Sequence, residues 1–128
     1  MPVFKSIDDC TPEETVRYFK DYFATVDIIN EALGKYETLA VNATTVAERS
    51  NFRALALEAD RDLELLKNRR LAFLTGGAEV SPPSQAQVEK AQELSEKVAK
   101  LAAKEAQAKA IIKIATDGLN AFNKLHPA

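Results

Sequence analysis

Apolar residues recur every three or four places along almost the whole chain, and only one stretch breaks them with paired glycines and prolines. That spacing constrains the fold more than any other feature. An α-helix turns once in about 3.6 residues, so such spacing puts one apolar stripe on each helix, and another element must cover the stripe. The first stripe reads Phe19, Tyr22, Val26, Ile29, Leu33, Tyr36 and Ala40. The second reads Phe52, Leu55, Ala59, Leu63, Leu66 and Phe73. The third runs from Val88 through Leu94, Leu101, Ala108 and Ile112 to Leu119 and Phe122. No segment alternates as a half-buried strand does. The chain is therefore predicted to be all-α: an antiparallel, up-down-up three-helix bundle of long, coiled-coil-like helices, the third longest, forming a single domain over 1–128.

Local signals set the boundaries. Residues 1–11 read as a lead-in whose Val3, Phe4 and Ile7 are apolar enough to pack on the bundle. Thr11, Pro12 and Glu14 form a helix-start signature, which opens a helix over about 12–41. Thr44 or Thr45, with Glu48 three residues after the latter, opens a second over 45–75, closed by Gly76-Gly77. The segment Thr75 to Ser84 is the clear loop, and Ser84 with Gln87 caps a third helix over 84–125. Gly34 marks a kink or the close approach of another helix, and Gly118 a bend near the end of the third helix. At about 1.5 Å per residue the third helix would be roughly 60 Å long against roughly 45 Å for the others. Its end should then overhang, far from the 75–84 loop, and expose Leu119, Phe122 and Leu125. Glu105 falls on the third stripe, where a dry carboxylate is costly. It is expected either to pair with Arg53 and set register or to stand at a rim.

Charge and residue chemistry exclude more functions than they suggest. Charged residues make up 28% of the chain and the net charge is −2, which gives no drive toward nucleic acid. Arg49, Arg53, Arg61, Lys67, Arg69 and Arg70 are interleaved with Glu58, Asp60, Asp62 and Glu64, so they read as ion-pairing surface. Acids dominate before Asn42 and lysines after Ser84. Lys90, Lys97 and Lys104 share a helix face that Asp27 and Glu31 would match, and Glu93–Lys97, Glu96–Lys100 and Glu105–Lys109 are pairs in the favourable order. One cysteine, Cys10, and one histidine, His126, cannot form a zinc cluster. The pairs Asp8-Asp9 and Asp60/Asp62 lack the spacing of a calcium loop. The acids around Cys10 argue for an unreactive thiol. Thr75-Gly76-Gly77 lacks the lysine and preceding strand of a phosphate loop. No catalytic residue, metal, cofactor or small-molecule substrate is expected, and the chain is not read as an enzyme.

What remains is recognition. Tyr18 and Tyr22, one turn apart, are candidate anchors for a partner, since tyrosine is enriched in binding hot spots. Leu119, Phe122 and Leu125 on the overhang are the other candidates. The sequence thus predicts a non-enzymatic protein–protein interaction module, a small helical adaptor, chaperone or inhibitor. Its partner is another protein or a second copy in a homodimer. The alternative is a membrane-surface or membrane-active amphipathic bundle, because Ala99 to Leu125 is alanine-rich, amphipathic and lysine-bearing. With neither a bilayer-length apolar run nor a signal-like N-terminus, the expected location is the cytoplasm.

Overall fold

A computed structural model describes residues 3–127. They form four α-helices: α1 (Pro12–Asn42), α2 (Val46–Leu74), α3 (Gln85–Lys100) and α4 (Ala108–Asn123). Short 3-10 turns cover Ile7–Asp9 and Glu105–Gln107. The helices alternate in direction, and α1 packs against each of the other three. Its buried residues face three ways, with Tyr18, Ile28, Ile29, Ala32, Tyr36 and Leu39 all in one core cluster. Among the described residues there is no strand, only one isolated antiparallel bridge between Lys5 and Val80.

Three of the four helix starts follow from their caps. The Thr11 hydroxyl accepts from Glu14 N at 3.1 Å, and the Glu14 carboxylate accepts from Thr11 N at 2.9 Å. Glu14 also takes the Lys5 ammonium at 2.9 Å, which pins the lead-in to the first turn. Thr45 caps α2 through Glu48 N at 3.1 Å. Ser84 and Gln87 form a second reciprocal box at 3.2 and 2.7 Å. The end of α2 is a Schellman turn: Gly76 N donates to Phe73 O, and Gly77 N to Ala72 O. Gly76 sits at φ +78°, a conformation that favours glycine. Ile7 packs against the core from the lead-in, while Val3 is exposed.

The third segment departs from the predicted single helix over 84–125. It stops at Lys100, turns through Leu101–Gln107 and folds back as α4. No glycine or proline marks the break; the residues there (LAAKEAQ) are good helix formers. Burial outweighs that preference. A straight helix would carry Ile111, Phe122 and Leu125 past the end of α1 into water. Turning back buries all three, at roughly 1.5–3 kcal/mol per large side chain. Losing one helical turn costs less, and Ala102 N recovers a partner in the Gln107 side chain at 2.7 Å. Glu105 leaves the stripe at this turn and is exposed. Its expected pairing with Arg53 is absent from the ion pairs of the described residues, and so is that with Lys109. The overhang disappears with the straight helix, and the C-terminal end lies against the 75–84 loop rather than far from it: Ser81 N donates to Leu125 O at 2.7 Å.

Gly118 serves close approach. A Cβ there would stand 2.9 Å from Ile28 Cδ1, so an alanine would push the end of that buried side chain aside. Nothing comes within 4 Å of a Cβ on Gly34.

Candidate binding surface

The five residues expected to meet a partner are all brought to the core. Tyr18, Tyr22, Phe122 and Leu125 are buried, and Leu119 is half-buried against the same cluster. The exposure expected of them is replaced by contact with one another once α4 folds back. Tyr18 lies 4.5 Å from Phe73 between ring centroids and 5.6 Å from Phe122. Arg70 stands over the Tyr22 ring at 5.2 Å, a cation–π contact.

His126 closes this cluster. Its Nδ1–H donates to Phe122 O at 3.0 Å, which leaves Nε2 to accept from the Tyr18 hydroxyl at 2.9 Å. With both nitrogens engaged and the ring buried, the imidazole stays neutral. Burial, helped by the Arg69 charge, pushes its pKa down to about 4. Burial also raises the Tyr18 hydroxyl's pKa. The arrangement locks a chain end onto α1 and leaves no free base.

Asp21 is a buried carboxylate that no stripe position flagged. It lies between α1, α3 and α4 beside a cavity of about 80 Å³ that Gln87 and Lys90 also line. Its carboxylate receives only a long 3.4 Å contact from the Thr25 hydroxyl, and burial raises its pKa to about 6. Cys10 is half-buried, with its thiol pKa pushed up by burial and by Glu14. Among the described residues no three His, Cys, Asp or Glu side chains gather as metal ligands.

The open surface lies on α2. That helix buries Ala59, Leu66 and Phe73 at heptad spacing on α1, and barely meets α4. Leu57, Leu65, Leu71 and Leu74 point elsewhere and are exposed, so the helix is apolar on more than one side. Val41 and Val46, 81% and 74% exposed, flank the α1–α2 turn. Beside them a groove of about 400 Å³ runs between the two helices. Leu33, Ala40, Ala56 and Leu57 make its apolar lining; Glu37, Asp60 and Arg53 stand at its polar rim. Burial of Leu33 and Ala40 on the same stripe hid this groove from a reading that assigned the whole stripe to the core.

The expected Glu93–Lys97 pair forms at 3.0 Å within α3, while Glu31 pairs with Lys35 at 3.2 Å within α1 rather than across to the lysine face of α3. The apolar side of α4 is occupied: Ile111, Gly118 and Phe122 are buried. No described helix is long and apolar enough to cross a membrane. No family model, no curated protein and no solved structure gives a significant match to the chain.

Proposed function

We propose that the chain is a non-enzymatic protein–protein interaction module, a small helical adaptor, chaperone or inhibitor, that docks a partner helix in the groove at the α1–α2 turn. The observation that carries this reading is the exposure of Val41, Val46 and Leu57 around a groove with an apolar lining. Large apolar side chains left uncovered together mark interaction sites more often than chance surface does. Glu37 and Asp60 outnumber Arg53 at the rim, so the fitting partner is an amphipathic helix of another protein with basic residues beside its apolar stripe. A single half-buried, unpaired cysteine fits a reducing compartment, which supports action in the cytoplasm.

A photo-crosslinking residue at position 57, compared with one at the exposed Glu89 of α3, tests the reading in the source cell. The expected result is one discrete adduct from position 57, lost on Val41→Asp and formed with a chain bearing a basic amphipathic helix. An adduct of twice the protein's own mass would make a second copy the occupant and overturn the choice of partner. Equal labelling from both positions, or none, refutes the groove.

A further inference from the structure

A second recess lies on the other side of α2, independent of the groove at the α1–α2 turn. It is a cleft of about 240 Å³ between α1, α2 and α4, where α2 and α4 fail to close on each other. Ile29, Leu55, Ile112 and Leu119 give it apolar walls. Glu58 and Asp62, one turn apart on α2, line it with carboxylates, and no basic residue lines it. Neither carboxylate takes part in an ion pair among the described residues. Tyr36, only 3% exposed, also lines the cleft. Its hydroxyl has no hydrogen-bond partner among the described residues and lies close enough to Glu58 and Asp62 for both charges to oppose its ionisation.

We infer that this cleft binds a primary alkylammonium ion, with the ammonium between Glu58, Asp62 and the Tyr36 hydroxyl and the alkyl stem along the apolar walls. Two unneutralised carboxylates beside a low-dielectric wall repel each other, and a cation between them relieves that cost. An ammonium carries three donors, which matches two carboxylates and one phenol oxygen. A bare metal ion fits less well, because three or more charged ligands are absent and one side of the cleft is apolar. The volume suits a stem of four or five carbons, which is the side chain of lysine as well as a free aliphatic amine.

Backbone amide NMR of the full chain distinguishes these sources. The titrants are n-pentylammonium, neutral n-pentanol and N-acetyl-lysine-methylamide. Saturable shifts confined to Ala32, Tyr36, Ala59 and Ala115 are expected with pentylammonium, and pentanol should bind at least tenfold more weakly. Asp62→Asn should weaken pentylammonium at least fivefold, while Asp8→Asn leaves it unchanged. Asp62→Asn removes a repulsive charge and keeps the shape, so the variant folds. Tyr36→Phe should weaken binding about threefold. If the lysine derivative binds as well as the free amine, the ligand is a presented side chain; if it does not bind, the ligand is a small amine. Equal binding of pentanol, shifts spread over the acidic surface, or no change on Asp62→Asn overturns the assignment. Crosslinking at position 57 reports on the other face of α2, so either result stands without the other.

Discussion

Two buried groups should cancel each other's effect on stability between about pH 4 and 6.5, and removing either should expose the other. His126 has a folded pKa near 4 against 6.5 when free. The folded state then binds the proton less well than the unfolded one. Its stabilising contribution is complete above pH 6.5 and is lost as pH falls through 4. Asp21 has a folded pKa near 6 against 3.8. Here the folded state holds the proton more tightly, so stability is greatest below pH 3.8 and declines as pH rises through 6. Each shift exceeds two pKa units, and at 1.36 kcal/mol per unit each contributes about 3 kcal/mol. With opposite signs over overlapping windows, they leave the parent chain nearly flat from these two sources. Urea unfolding of the parent, Asp21→Asn and His126→Gln at pH 4.0, 5.0 and 6.5 reads this directly. Relative to the parent, Asp21→Asn should gain about 2 kcal/mol more stability between pH 4.0 and 6.5, since that window spans most of the shift. His126→Gln should lose stability over the same rise by about the same amount. All other carboxylates are common to the three proteins and drop out of the differences. Parallel pH profiles for all three would refute the reasoning, because they would mean that neither group changes its protonation on folding.

Other substitutions test the packing. Gly34→Ala should stabilise the chain by about 0.5–1 kcal/mol in thermal unfolding, since a Cβ meets nothing there and the helix loses a flexible residue. Gly118→Val should destabilise it by about 1–3 kcal/mol, because the new side chain collides with buried Ile28. Glu105→Ala should change stability by less than about 0.5 kcal/mol; a loss of several kcal/mol would restore the buried pair with Arg53 that the structure lacks. Phe122→Ala should cost about 3–5 kcal/mol, as a fully buried ring at the meeting of α1 and α4.

The caps explain why so much of the fold was legible. Thr11/Glu14, Thr45/Glu48, Ser84/Gln87 and Gly76-Gly77 each act within a few residues, and each starts or ends a helix where its chemistry says. The break at Leu101 has no such local cause. Ala99 to Gln107 reads as helix at every position, and the turn exists because α1 still had an open face for Ile111 and Phe122. Glu105 on the stripe was the one trace of it, a charge whose position made sense only if the stripe ended before it. The same long-range event governs the site. Tyr18, Tyr22, Leu119, Phe122 and Leu125 have the composition of an interface, and a periodic pattern does not say whether the partner face belongs to another chain or to the chain's own last helix. The cleft of Tyr36, Glu58 and Asp62 depends on how far apart two helices stand, which no spacing within either helix encodes.

The bridge at Lys5 and the bond from Ser81 to Leu125 fall on consecutive residues of the 75–84 loop. Lys5 and Leu125 are therefore both held by one loop, at one pole of the bundle. A cut at 43–44 or at 101–104, at the opposite pole, would leave that clasp in place. A chain nicked there should keep every helix and every cap side chain intact.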